Sequence, residues 1–142
     1  MDVQEFKRRA VAVFERGFGE GDLSVVDEAV APEGVDRHPF GPDEPDMVAH
    51  LKGAITMFRA SFPDLQPRVE QVIAEGDLLA CRVVMTGSHT GAPFLGVPAQ
   101  GRPISVEQFH FVRFDPETGR GQVHWANVGL AELMQQLAAP AA

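Results

Sequence analysis

A single cysteine, Cys81, stands in a chain of 142 residues. That scarcity excludes an internal disulfide and any site built from several thiolates. Cys81 itself lies in an apolar strand pattern, which reads as a small buried hydrophobe rather than a nucleophile. Basic residues are also few: 12 Lys and Arg stand against 20 Asp and Glu, for a net charge of −8. A nucleic acid or an anionic membrane needs cations to offset its phosphates, so neither is an expected partner. No apolar run reaches the roughly 18 residues of a membrane span, and the first nine residues lack a signal-peptide core. The expected location is therefore cytoplasmic. Phosphate-binding glycine loops, the dinucleotide fingerprint, HExxH, CxxC and the GxSxG nucleophile elbow are all absent. Of the five histidines, at 38, 50, 89, 110 and 124, only His110 and His124 are expected to be neighbours. No carboxylate has ligand-like spacing to them, so neither a metal nor an organic cofactor is expected.

What is present is periodicity, helical first and then of period two. The length suits one domain over residues 1–142, with no repeat or linker. Val3, Phe6, Ala10, Val13, Phe14 and Phe18 predict an amphipathic helix over about 2–18, ended by Gly17, Gly19 and Gly21. A short second helix follows from Asp22, with Leu23, Val26 and Val30 facing inward, and the run from Ala31 to Gly34 breaks it. Residues 35–42 hold two prolines and read as an extended piece and then a loop. A third helix begins in the acidic turn at Asp43–Asp46, carries Met47, Leu51, Ile55, Phe58 and Phe62 on one face, and stops at Pro63.

From Gln66 onward the chain alternates. Strands are predicted over Pro67–Glu75, Leu78–His89, Ser105–Phe114 and Gly121–Val128, with a terminal helix through Leu130, Leu133, Met134 and Leu137. Gly91–Arg102 is a loop rich in Gly and Pro whose Phe94, Leu95 and Val97 suggest that it folds over an apolar surface. Helices followed by hairpin-linked strands mean an α+β fold with helices laid on one face of a curved antiparallel sheet. The hairpin Ser105–Val128 concentrates the polar and aromatic groups: Gln108, His110, His124, Trp125 and Asn127. Alternation puts Asn127 with Trp125 on one face and His124 with Ala126 on the other, and leaves open which pair faces a pocket.

Several stretches resemble the SnoaL-like polyketide cyclase (ester cyclase) family of the nuclear-transport-factor-like superfamily. They are His50-Leu51-Lys52-Gly53 with Met57 to Leu65, Gly76 to Arg82, Thr86 to Gly91, Phe94 to Pro98, Glu107 to Phe114, and His124-Trp125 followed by Leu133 to Leu137. The resemblance covers nearly the whole chain in order. It implies a cone-shaped α+β barrel, with N-terminal helices closing one end of the curved sheet around a pocket. It also implies closure of a polyketide ring by intramolecular aldol condensation, without metal or cofactor. In the family an Asp just after the Trp-bearing strand position works with a His on the preceding strand. His110 matches that His, but Trp125 is followed by Ala126-Asn127-Val128-Gly129, which holds no carboxylate.

The candidate catalytic residues are therefore His110 as acid/base group, His38 in the loop the family places at the pocket mouth, and Asn127 as an oxyanion donor. Taken alone, His38 reads equally as a turn residue, and His89 reads as structural. Gln108, Trp125, Phe14, Phe58 and Phe94 are the candidate contacts to a hydrophobic, carbonyl-bearing small molecule. Arg82 and Arg113 are internal cations if their strand faces turn inward, and read equally as surface or interface residues. The alternatives are a non-catalytic binder that has lost the Asp, and an interaction protein whose pocket is filled by Phe14, Phe58 and Phe94. A homodimer through the outer sheet face is expected, because one face of each strand must line the pocket and the other is apolar too.

Overall fold

A computed structural model describes residues 2–37 and 41–138. Helix α1 spans Val3–Ala12, with the Asp2 carboxylate accepting from the Gln4 amide at its start. The helix expected to run to residue 18 instead widens into a π-helical segment over Val13–Phe18. Gly17 sits in that wide turn, where a Cβ would lie 3.0 Å from Ile55 and 3.2 Å from Val25. The widened turn presents Val13, Phe14 and Phe18 together to the core. Helix α2 spans Ser24–Ala29 and α3 spans Met47–Ser61, the latter capped by the Asp46 carboxylate on the Ala49 amide. Helix α4, Leu130–Ala138, ends the described chain.

Among the described residues, five strands form one curved, unclosed sheet in the order β1-β5-β4-β3-β2. Their ranges are Val30–Arg37 (β1), Gln66–Glu75 (β2), Leu78–Ser88 (β3), Pro103–Phe114 (β4) and Gly121–Asn127 (β5). The four alternating strands of the sequence pair antiparallel in chain order. The α+β fold with helices on one side of the sheet thus holds, although the sheet remains open.

Strand β1 is the departure from the sequence reading. Val30 opens it rather than closing the second helix, and Pro32 and Gly34 lie inside it. An edge strand tolerates Pro, because the missing N–H is needed only on its outer side, and the register shifts between Val30 and Val35 as a bulge would require. Beyond the bulge, β1 runs parallel to β5 and pairs Val35 with Val123, Asp36 with His124 and Arg37 with Trp125. The outer edge of β1 is itself held, since the backbones of Asp36 and Glu44 exchange hydrogen bonds of 2.8 Å in each direction.

The core fills the space between helices and sheet. Leu79, Cys81, Val83 and Met85 of β3 and Ile104 and Val106 of β4 point inward, beneath Phe6, Phe14, Ile55 and Phe62 from the helical side. The Gly91–Arg102 loop folds over this layer, as its apolar residues suggest. Phe94 is buried, with its ring centroid 5.2 Å from Phe58 and 5.5 Å from Phe62. His89 is structural: it is fully buried against Phe62, with Nε2 on the Ala92 carbonyl oxygen at 2.9 Å.

Candidate active site

A cavity of about 320 Å³ opens between the helices and the inner sheet face. That is the low end of the range for small-molecule sites. Its walls are mostly apolar, with Phe14 and Phe18 from the π-helical turn, Met47 and Phe58 from α3, and Phe94 from the loop. Phe14, Phe58 and Phe94 therefore line the space and do not fill it. The polar groups are concentrated at Asp36, His50, Gln108, His110 and His124.

These polar groups form one continuous chain of hydrogen bonds. On β4, alternation sends Gln108 and His110 inward, both buried. Gln108 Nε2 donates to the Val128 carbonyl oxygen at 3.3 Å, and its Oε1 lies 2.9 Å from His110 Nε2. His110 Nδ1 lies 2.9 Å from His124 Nε2, and the two rings stack with centroids 5.2 Å apart. His124 Nδ1 lies 2.9 Å from Asp36 Oδ1. The second carboxylate oxygen, Oδ2, is 2.7 Å from Nδ1 of His50, a half-buried residue of α3.

A carboxylate thus reaches the histidine pair from another strand. Asp36 enters because β1 pairs in parallel with β5 directly opposite His124, 88 positions away in the chain. Burial pushes its carboxyl up, but the hydrogen bonds and charges of His124 and His50 outweigh that and hold it below the ordinary carboxylate value. Burial in the apolar wall, and secondarily the neighbouring His124, depress His110 to about 3, so it is neutral at physiological pH. Phe14 packs its edge on the His110 ring at 4.8 Å and maintains that dry environment. Cys81 pairs with His110 across β3 and β4, and burial pushes its thiol up to about 12, so it is no nucleophile.

The register also decides the question left open on β5. His124 and Ala126 face the cavity, whereas Trp125 and Asn127 are exposed on the other side of the sheet. The assignments of Asn127 as an oxyanion donor and Trp125 as a substrate contact are corrected accordingly. Asn127 Oδ1 accepts from the Gly129 amide at 3.0 Å and closes the turn into α4. Trp125 joins an outer row with Phe111. Arg82 and Arg113 also point outward, paired with Glu107 at 3.0 Å and Asp77 at 2.7 Å. His38 lies outside the described residues. Sequence reasoning gave Asp36 and His50 no role in the site. The available signal was Asp36 itself, a lone acid in an extended segment two residues before His38.

Among the described residues, no group of three or more His, Cys, Asp or Glu side chains is disposed to hold a metal ion, and no helix is long and apolar enough to cross a membrane.

No curated protein matches the sequence. Solved structures do. A SnoaL-like polyketide cyclase candidate from Jannaschia sp. CCS1 superposes with a TM-score of 0.83 at 22% identity, over 97% of this chain and 94% of that one. AclR from Streptomyces galilaeus, described as a candidate hydroxylase, gives 0.81 at 25% identity over 99% of this chain and 86% of that one. IdmH from Streptomyces antibioticus, described as a candidate polyketide cyclase, gives 0.77 at 28% identity over 94% and 99%. The family model for the SnoaL-like polyketide cyclases matches residues 8–137. With that match spanning the whole sheet and every member of the hydrogen-bonded chain from Asp36 to Gln108, the protein belongs to the SnoaL-like polyketide cyclase family.

Proposed function

We propose that the protein is an acid/base catalyst of carbonyl chemistry, closing a ring by intramolecular aldol condensation in an apolar, polyketide-like substrate. The observation that carries this reading is the buried chain Asp36–His124–His110–Gln108, which ends at the wall of an otherwise apolar cavity. An aldol step moves one proton off carbon and one onto oxygen while a carbon–carbon bond forms, so it needs a group that can exchange protons with the substrate in a dry site. His110 is that group. Its ring is held by His124 on one side and Gln108 on the other, so its orientation is fixed before substrate arrives. His124 and Asp36 act as positioning residues through it. His50, on the solvent side of the same carboxylate, holds its second oxygen.

The relatives with solved structures carry both cyclase and hydroxylase descriptions, so the chemistry is argued from the site and not from the fold. A direct test follows hydrogen–deuterium exchange at the α-carbon of 2-tetralone, an uncharged bicyclic ketone, in deuterated buffer. Saturable acceleration over buffer is expected. Saturable binding with no acceleration would leave a non-catalytic binder and remove the enzyme reading.

The same reading includes a homodimer through the outer sheet face. Pairing places Ile73, Ala80, Phe111 and Trp125 in one row across four strands, with Phe109 beside it. Ile73, at 67% exposure, Phe111, at 45%, and Trp125, at 38%, make this an unusual surface to leave in water. Light scattering at micromolar concentration is expected to give twice the chain mass, and Phe111→Glu to give the monomer. A monomeric wild type would contradict the dimer.

A further inference from the structure

The buried network fixes its own proton count, and the consequence rests on the acid/base reading of the cavity. At one end, Gln108 Nε2 donates to the Val128 carbonyl oxygen, which turns Oε1 toward His110 Nε2. An amide oxygen has only lone pairs to offer, so His110 Nε2 carries a hydrogen. At the other end, the Asp36 carboxylate also only accepts, so His124 Nδ1 carries a hydrogen. Between the rings, His110 Nδ1 and His124 Nε2 stand 2.9 Å apart, and a hydrogen bond there needs one hydrogen more. Two neutral imidazoles hold two N–H hydrogens between them. This pair requires three.

We propose that the resting His110–His124 pair holds one extra proton, balanced by the Asp36 carboxylate, and that His110 meets its substrate as a proton donor through Nε2, to a carbonyl or enolate oxygen that takes the place of Gln108 Oε1. The groups that face the pair are Asp36 from β1, His50 beyond it from α3, Cys81 from β3, and the Phe14 ring from the π-helical turn. The Cys81 thiol is neutral, so the balancing charge comes from Asp36. Burial keeps the His110 ring neutral, which leaves the positive charge on His124.

The transfer balances without another reactant. The Nε2–H bond of His110 breaks and an O–H bond forms on the substrate, while the hydrogen on His124 Nε2 moves to His110 Nδ1. His110 then donates to His124, and His124 still donates to Asp36. Both rings end neutral, the carboxylate keeps its charge, and the substrate oxygen leaves protonated, an enolate as its enol or the alkoxide of an attacked carbonyl as its alcohol. In that discharged state Gln108 Oε1 faces the lone pair of Nε2, acceptor against acceptor, so the observed amide orientation belongs to the charged state. Reloading returns one proton from the cavity side to His110 Nε2, the ring nitrogen left bare, and the hydrogen on His110 Nδ1 then moves back to His124 Nε2.

The test is nitrogen-15 NMR of the full-length protein with labelled histidine at pH 7, without substrate. One ring is expected with both nitrogens protonated, assigned to His124 by its loss in His124→Gln, and His110 with hydrogen on Nε2 alone. Two singly protonated rings would overturn the proposal. In Asp36→Asn the pair is expected to lose its third hydrogen, and retention of three would remove Asp36 as the balancing charge. If that variant does not fold, the wild-type spectrum alone still decides the count. Neither spectrum depends on turnover. Two ring hydrogens together with intact ketone exchange would sink this proposal and leave the proposed function standing, and three hydrogens without exchange would do the reverse.

Discussion

His110→Ala is expected to lower α-carbon exchange in a bound ketone by about 10²–10⁴-fold in kcat/KM, the usual range for a positioned acid/base group. The size follows from position. His110 is the member of the hydrogen-bonded chain that meets the cavity wall beside Gln108, with Phe14 against its ring. Removing it breaks the path between the substrate and Asp36 and leaves a space that water can enter. Gln108→Leu is expected to cost far less, because a neutral hydrogen-bond partner is worth about 0.5–1.5 kcal/mol. Steady-state rates with circular dichroism as a folding control check both. Equal rates in wild type and His110→Ala would mean that the ring only packs.

Asp36→Ala is expected to be the most destabilising single change at the site. The carboxylate is buried and accepts from two histidines at 2.9 and 2.7 Å. Removing one partner of such a pair leaves a charge or donor uncompensated, at a cost of about 3–5 kcal/mol, readable by urea unfolding. Acid should weaken the wild type in the same direction. The Asp36 carboxyl is held below its ordinary value in the fold, so its contribution is present above the unfolded value and lost as pH falls through the folded one. His110 is depressed from 6.5 to about 3, so on acidification the unfolded chain takes up a proton before the folded chain does. Stability therefore falls from pH 6.5 toward 3, at about 1.4 kcal/mol per pH unit for one proton. His110→Phe keeps an aromatic ring and removes that proton, so it should flatten the slope. An unchanged slope would contradict the buried neutral His110.

The parts of this molecule that could be read from sequence are those where local period and burial agree. Strands β3 and β4 alternate over 11 and 12 residues, so the pattern puts Gln108 and His110 together on one face, and the structure turns that face inward. The helix stripes gave Phe14 and Phe58, and apolar residues in a Gly/Pro-rich loop gave Phe94, all three in the cavity wall. Strand β5 was ambiguous for a physical reason. Its seven residues put His124 on one face and Trp125 with Asn127 on the other, and both sets suit a site. Only the pairing of His124 with Asp36 decides between them. Strand β1 was harder still. Pro32 and Gly34 hide its period, its pairing is parallel, and its partner lies at the far end of the chain. The carboxylate that a search confined to the last hairpin cannot find is therefore the one that a nonlocal contact delivers.

The most direct measurement is a crystal structure of the wild-type protein with 2-tetralone bound. The ketone oxygen is expected within hydrogen-bond distance of His110 Nε2, with the Gln108 amide displaced from that nitrogen and the hydrocarbon rings against Phe14, Phe58 and Phe94. A ketone bound elsewhere, or one in the cavity with its oxygen turned away from an intact His110–Gln108 contact, would contradict acid/base catalysis at this site.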